Sequence, residues 1–223
     1  MESGSGQDGP CDGLRPQRRD AARNRDLLVA AAHAVYAEQG VEAPLDVIAR
    51  RAGVGNATLY RHFPTRGALV EEIFRGPLDR VREAGEEARI AADPWAGLAA
   101  YLDRVFSMLA ADRGANDLMT TGLPGVPSLA ALHTHNHDTV AALLGRAQEE
   151  GTARADATAE DLLLGLLAFG RVVPALAAVA PGAWRRPLAL LLDGFRARPP
   201  AAALPAAPLT ERQFGALLQE FHS

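Results

Sequence analysis

The sequence predicts an all-α protein, in which an N-terminal three-helix helix-turn-helix domain is followed by a larger helical domain. Three observations lead to this prediction. Apolar residues recur at intervals of three and four along most of the chain, as they do on one face of an α-helix. Glycine and proline fall mainly between these periodic segments, where helices end and turns begin. One glycine, Gly53, separates two short apolar segments so closely that the backbone must reverse sharply there.

The distribution of charge adds information that the total charge conceals. The 223 residues suffice for one or two domains, and the charged fraction of 22% is typical of a globular protein. The net charge of −4 alone argues against a nucleic-acid partner. Residues 15–66, however, hold 9 Arg against 5 acidic residues, whereas residues 67–223 hold 14 Arg against 19. Positive charge is therefore concentrated in the N-terminal third, where the phosphates of DNA would lie.

The first residues are expected to form a disordered tail over 1–17, because they are rich in Gly, Pro, Ser and Asp. They contain no apolar run and so do not form a signal peptide. The single cysteine, Cys11, cannot form an intramolecular disulfide, and we expect a cytoplasmic protein. The arginines that follow allow two interpretations, a solvated helix start or an arm that grips backbone phosphate: Arg18, Arg19, Arg23 and Arg25.

The first helix is predicted over 24–39, and Gly40 ends it as a C-cap glycine. Two short helices follow within 45–63. Ile48 and Ala49 share the inner face of the first, and Leu59 and Phe63 share that of the second. The outer face of the second helix carries side chains of the kind that reach base edges and phosphates: Asn56, Thr58, Tyr60, Arg61 and His62. We interpret this segment as the helix-turn-helix of a DNA-binding regulator.

The pattern of Gly40, Ile48 to Val54, Thr58 to Phe63, Thr65 and Leu69 resembles the N-terminal domain of the TetR/AcrR family of transcriptional regulators, over roughly residues 22–75. The resemblance implies a ligand-controlled repressor, whose divergent helical second domain binds a small molecule and dimerises. It also implies phosphate contacts for Tyr60 and His62. The expected DNA-binding set is Arg25, Pro44, Gly55, Asn56, Thr58, Tyr60, Arg61, His62 and Arg66.

Four of these positions depart from the usual family pattern or vary it. Gly55 and Asn56 stand where the family usually has Ser or a basic residue at the start of the recognition helix. Pro44 replaces a common Thr, which removes a hydroxyl donor although proline suits a first helical turn. Arg66 replaces a frequent Lys and keeps its charge. The resemblance therefore implies that this protein reads DNA somewhat differently from the family's usual form.

A fourth helix begins at Arg66 after the N-cap Thr65 and is expected to reach residue 89, with an interruption at Gly76 and Pro77. The break has two interpretations. A local kink without a role is slightly favoured over a hinge that couples the DNA-binding domain (18–75) to the second domain (76–198).

The second domain is expected to bind the ligand and to dimerise. Its predicted helices cover 95–111, 115–121, 128–150, 158–180 and 183–198, and a linker with a short C-terminal helix completes the chain over 199–223. The segment 158–180 is apolar on all sides, but Arg171 and Pro174 argue against a membrane span. We expect this segment and the next to form a four-helix bundle in a homodimer.

His133 and His137 are four residues apart and share one helix face. They could form a metal site, with Asp112 or Asp117 as a further ligand, or the polar wall of a ligand pocket, which is the preferred interpretation. The sequence has no phosphate-binding Gly-rich loop and no nucleophilic Ser elbow, so we expect neither an enzyme nor a cofactor. The candidate ligand-binding residues are Phe106, Met108, Met119, Leu123, His133, His137, Phe169 and Trp184.

The sequence therefore predicts a dimeric repressor that binds a near-palindromic operator of double-stranded DNA and is released by a small organic effector. The alternative is a metal-responsive sensor, or a helical metal-dependent protein, that uses His133 and His137.

Overall fold

The computed structural model describes residues 14–121, 123, 125–198 and 204–220. These residues form helices and no strands, apart from one isolated antiparallel bridge between Ala153 and Arg196. The prediction of an all-α protein is confirmed. The helices are α1 (Leu14–Gln39), α2 (Leu45–Ala52), α3 (Asn56–His62), α4 (Arg66–Arg89), α5 (Pro94–Ala111), α6 (Arg113–Thr121), α7 (Pro127–Glu149), α8 (Ala159–Gly170), α9 (Val173–Val179), α10 (Arg185–Asp193) and α11 (Glu211–Glu220).

Helices α1, α2 and α3 pack together at the N-terminal end, with α2 and α3 forming the predicted helix-turn-helix. Gly53 lies at the turn with φ of 71°, a conformation that favours glycine, and its N–H donates to the carbonyl of Arg50 at 3.1 Å. The small Ala49 is fully buried, as is Ile48 beside it. The core of this domain is completed by Leu28, Ala32, Val35, Tyr36, Leu59, Phe63, Leu69 and Val70.

Helix α4 runs without interruption from Arg66 to Arg89, although Pro77 lies inside it. The predicted break at Gly76 and Pro77 is therefore wrong. Proline removes one helical hydrogen bond and costs about 3 kcal/mol or more in a helix interior. Phe74, Leu78 and Val81 are all buried around it, and burial of a large apolar side chain contributes about 1.5–3 kcal/mol. Packing on both sides of Pro77 thus outweighs the local cost.

Three other boundaries differ from the prediction. The helix predicted over 183–198 is shorter, since α10 covers only Arg185–Asp193. Helix α1 begins at Leu14, inside the segment expected to be a tail, while residues 1–13 lie outside the described residues. The apolar segment 158–180 forms two helices, α8 and α9, which are bent by 46° at the break between them. Pro174 stands in the first turn of α9, where proline is favourable, and its missing N–H cannot donate a helical hydrogen bond back to α8.

The second half of the chain is a bundle in which α7 packs along α4 and α5, while α8 packs on α7 and α9 packs on α5. Its buried side chains are continuous with those of the helix-turn-helix domain. Within the described ranges no single helix is long and apolar enough to span a membrane, and only the bent pair of α8 and α9 meets that criterion jointly, by length and composition.

Helix α6 connects the two halves through a close contact at Gly114. This glycine is buried against α1 and α4, and a Cβ atom placed on it would lie 2.9 Å from Cζ of Phe74 and 3.0 Å from Cβ of Tyr36. Real Cβ atoms rarely approach so closely, because the repulsion is steep at that distance. The absence of a side chain at Gly114 therefore lets α6 lie directly on the DNA-binding domain.

Candidate DNA-binding surface and ligand cavity

The outward face of α3 presents polar side chains to solvent. Asn56, Tyr60 and Arg61 are exposed, with 52% of Tyr60 accessible, while Leu59 on the opposite face is buried and anchors the helix. Within the described part of the chain, neither Tyr60 nor Arg61 forms a hydrogen bond or an ion pair. Both side chains are thus available to an external partner, as the sequence predicted.

The other members of the predicted DNA-binding set near α2 and α3 differ in how far their side chains are exposed to solvent. Gly55 and Pro44 are exposed and occupy the N-cap positions of α3 and α2, neither with a side-chain capping bond. Thr58 is half-buried. His62 is also half-buried, and its Nε2 is inaccessible and has no hydrogen-bond partner among the residues that the structure describes. The ring of His62 therefore belongs partly to the domain interior, which its place on the predicted outer face did not indicate.

Arg25 and Arg66 are used inside the domain. The Arg25 guanidinium lies 2.6 Å from Oε1 of Glu72 and 5.2 Å from the centre of the Phe63 ring. The hydrogen bond from Arg25 holds the pKa of Glu72 below its ordinary value. Arg66 donates to the backbone carbonyls of Val41 at 2.5 Å and Ala43 at 2.7 Å. Both arginines thus fix the positions of α1, α2 and α4, and their contact with DNA stays a prediction.

A cavity of about 350 Å³ lies in the second half of the chain, among α5, α6, α7, α8 and α11. Most of its wall is apolar and comes from α5 and α8. The remaining wall is polar and is concentrated on α7. The apolar lining includes Leu102, Val105, Phe106, Leu109, Met119, Leu163, Leu166 and Phe214, and the polar lining includes Tyr101, Thr120, His133, Asn136, His137, Asp138 and Glu211.

Of the eight predicted ligand-binding residues, four line this cavity: Phe106, Met119, His133 and His137. The other four do not. Met108 faces a separate groove among α1, α4 and α5, and Leu123 packs against the core. Phe169 and Trp184 stand behind Phe106, with ring centroids 5.1 Å and 6.2 Å from its own. These two aromatic rings support the wall from outside, a distinction that helical spacing does not reveal.

The polar end of the cavity is built by side-chain hydrogen bonds between helices. The Tyr101 hydroxyl donates to Oδ1 of Asn136 at 2.5 Å, and burial raises the pKa of Tyr101. His137 Nε2 lies 3.1 Å from Oε1 of Glu160 on α8, and its Nδ1 lies 3.5 Å from Oδ1 of Asp138. Burial opposes ionisation of His137 and Glu160, yet their hydrogen bond raises the pKa of His137 and lowers the pKa of Glu160.

Sequence reasoning missed several residues of this end. Asn136 lies three residues after His133 on the same helical face, so its position could have been inferred from the same periodicity. Tyr101, Glu160 and Glu211 carry no comparable local signal, because each comes from a helix other than α7, Tyr101 and Glu211 to line the cavity and Glu160 to bind His137.

The described residues give no support to the metal-site alternative. Among them, no group of three or more His, Cys, Asp or Glu is placed to hold an ion. His133 and His137 both face the cavity, as predicted. His135 faces the other way, with its Nε2 3.4 Å from Oγ1 of Thr139. The histidines therefore act as polar wall and as links between helices.

In comparisons with known proteins, both halves of the chain match the profiles of known families. Residues 28–73 match the profile of a family described as bacterial regulatory proteins of the tetR family, and residues 93–197 match the C-terminal domain of SbtR-like transcriptional regulators. The chain is 38% identical over 63 residues to the HTH-type transcriptional regulator SAUSA300_2515 of Staphylococcus aureus. That match covers 28% of this chain and 34% of the relative, so the chain spans about a third of the length of that curated relative.

Solved structures extend the similarity to the second half. The TetR transcriptional regulator SCO0520 of Streptomyces coelicolor is 30% identical, with a TM-score of 0.50, over 78% of this chain and 98% of its own. FadR of Bacillus subtilis, solved in complex with stearoyl-CoA, has a TM-score of 0.56 over 75% of this chain and 95% of its own, and at 16% identity it shows the fold alone. Given the helix-turn-helix, the matched profiles and the near-complete coverage of SCO0520, the chain belongs to the TetR family of transcriptional regulators.

Proposed function

We propose that this protein is a ligand-responsive repressor that binds operator DNA through α3 and is released by a small organic effector. The observation that carries the proposal is the exposed face of α3, where Tyr60 and Arg61 have no partner within the described residues. The domain behind this face is tightly packed. It would hold the helix in a fixed orientation for entry into a major groove.

We further propose that the regulator acts as a homodimer. Large apolar side chains are exposed on α9, on α10 and just before α9, namely Val179 at 87%, Leu190 at 62% and Val172 at 48% accessible surface. Such a surface is costly in water and suits a two-fold contact with a second copy of the chain. Two α3 helices would then reach successive major grooves, about 34–36 Å apart, and the operator would be near-palindromic.

The cavity is the proposed effector site. Its apolar walls and its hydrogen-bonding end suit a small organic molecule with a polar group at one end. FadR, which shares the fold, has been solved with stearoyl-CoA, and this supports the capacity of such a fold to hold an organic ligand.

Helix α6 offers a route from the cavity to the DNA-binding domain. Met119 and Thr120, near its C-terminal end, line the cavity, whereas Gly114, near its other end, lies against Tyr36 and Phe74. An effector that binds one arrangement of α6 better than another would shift the equilibrium toward that arrangement. The affinity for DNA would then change by the difference in binding free energy.

Operator binding tests the proposal. After selection of the operator from random duplexes, fluorescence anisotropy would measure the affinity of Arg61→Ala across salt concentrations. Arg82→Ala, exposed on α4 away from α3, serves as the matched control. We expect Arg61→Ala to weaken binding by about tenfold or more, because it removes a contact of roughly 1–3 kcal/mol. An affinity that does not fall with salt, or that Arg61→Ala leaves unchanged, would refute DNA binding through α3.

A further inference from the structure

The C-terminal helix α11 lies outside the part of the chain that the family profiles match, which ends at residue 197. It is nevertheless a well-defined element. The Thr210 hydroxyl accepts a hydrogen bond from the N–H of Gln213 at 3.3 Å, and the Gln213 side chain accepts one from the N–H of Thr210 at 2.9 Å. This reciprocal pair is a capping box, which starts a helix at a defined residue.

Helix α11 lies across the cavity and contacts α8. Glu211, Phe214 and Gly215 line the cavity, whereas Arg212 and Gln213 on the other face of α11 are exposed. Phe214 is half-buried, so its ring contributes apolar surface to the wall. The rest of the cavity wall comes from α5 to α8, within the matched part of the chain, and α11 is the element added to it.

Charge also favours the position of α11. His137 is surrounded by acidic groups from three helices, with Asp138 on its own helix, Glu160 on α8 and Glu211 on α11, and His133 lines the same cavity on α7. The Glu211 carboxylate acts on His137 through its charge and raises the pKa of that imidazole. A protonated His137 therefore attracts α11 toward the cavity as well as holding Glu160.

We propose that α11 is a gate over one side of the effector cavity, so that lifting this helix speeds the entry and exit of a ligand. In the closed position Phe214 completes the apolar wall and Glu211 completes the polar end. This inference rests on the proposed effector site and adds the residues that control access to it. Since α11 packs chiefly on α8, it can move without unfolding the bundle beneath it.

Stopped-flow binding of Nile red, a neutral apolar fluorophore, tests the gate in the full-length protein. Phe214→Ala removes the wall contact, and Arg212→Ala, on the exposed face of α11, is the matched control. We expect Phe214→Ala to raise both the association and the dissociation rate constants by about tenfold, the scale of losing a half-buried aromatic contact. Arg212→Ala should leave both unchanged. Glu211→Gln should raise both rates by a smaller factor, because it weakens the attraction to His137 without removing apolar surface.

A ring that merely lined a permanently open cavity would slow dissociation without limiting entry. Equal association rates in the wild type and Phe214→Ala would therefore overturn the gate, and so would a wild type and Phe214→Ala that both fail to bind the dye. Met119→Trp, checked for folding by circular dichroism, should fill the cavity and abolish binding, whereas undiminished binding would mean that the dye lies elsewhere and would also overturn the proposal.

Operator DNA is absent from this experiment, which keeps the two proposals separable. Gated dye binding by a chain that binds no operator would refute the proposed function alone. Operator binding by a chain whose dye association is unaffected by Phe214→Ala would refute the gate alone.

Discussion

Single residues show how chemistry near a predicted DNA surface can serve the fold instead. Arg25 and Arg66 were reasonable candidates for phosphate contact because they are basic and flank the helix-turn-helix. In the structure Arg25 pairs with Glu72, 47 positions later, and Arg66 donates to two backbone carbonyls. A distant carboxylate and a backbone oxygen leave no local trace in the sequence. Tyr60 and Arg61, which the same reasoning selected, are exposed and unpaired among the described residues.

The pair of His137 and Glu160 predicts a pH-dependent contribution to stability at the residue scale. The pKa of His137 is raised in the folded state, so its contribution is complete below the ordinary value of 6.5 and is lost as the pH rises through the raised pKa. The pKa of Glu160 is lowered, so its contribution is present above the ordinary value of 4.5 and is lost as the pH falls through the lowered pKa.

We therefore expect His137→Asn to lower the free energy of unfolding most between these two pKa values, and progressively less in more alkaline or more acidic solution. Urea unfolding of the wild type and the variant over a series of pH values measures this difference. If His137→Asn lowers the free energy of unfolding by the same amount at every pH, His137 contributes by packing and not by its charge.

Some helix boundaries follow local sequence signals, whereas others are determined by tertiary packing. The capping box of Thr158 with Asp161 starts α8 near the predicted residue, and Gly53 makes the predicted turn. Pro174 splits one predicted helix into two, whereas Pro77 leaves α4 whole. Buried residues lie on both sides of Pro77, and α4 continues as a helix through it. These burial patterns arise from tertiary structure and are invisible to a local rule.

The continuity of α4 predicts the effect of removing its proline. We expect Pro77→Ala to leave operator affinity and effector response unchanged and to raise stability by about 1 kcal/mol or more, because alanine restores a helical hydrogen bond and removes a clash. Thermal unfolding and operator anisotropy measure the two effects, with Asp79→Ala on the same exposed stretch as the control. Loss of the effector response in Pro77→Ala would instead identify this position as a hinge.

The whole molecule divides into a part that sequence reasoning could find and a part that it could not. The helix-turn-helix was predictable because its turn, its outer face and the core residues Ile48, Ala49, Leu59 and Phe63 all lie within 19 consecutive residues, Leu45 to Phe63. Only half of the predicted ligand-binding residues line the cavity, because its lining comes from five helices that are far apart in the sequence. Tyr101 on α5 and Phe214 on α11, for example, both line it. Periodicity identifies the buried face of each helix, but the space left between faces depends on how the helices cross.

The assembled molecule also carries a prediction about its oligomeric state. We expect Leu190→Glu to convert the proposed dimer to a monomer in analytical ultracentrifugation and to weaken operator binding by about tenfold or more, because it places a charge in the proposed contact. Ile90→Glu is the matched control, since Ile90 is 86% exposed at the end of α4, on a different helix from the proposed contact. A dimer that persists in Leu190→Glu, or a wild type that is monomeric on DNA, would exclude this interface.

The contact at Gly114 has a consequence for engineering this protein as a sensor. A library that randomises the wall of the proposed effector cavity could retarget the regulator to new compounds, because those side chains border the space that the ligand would occupy. Position 114 allows no such freedom, since even a methyl group would collide with Tyr36 and Phe74. We therefore expect substitutions at Leu166 or Met119 to change which compound the protein binds. Keeping glycine at position 114 would preserve the close contact between α6 and the DNA-binding domain.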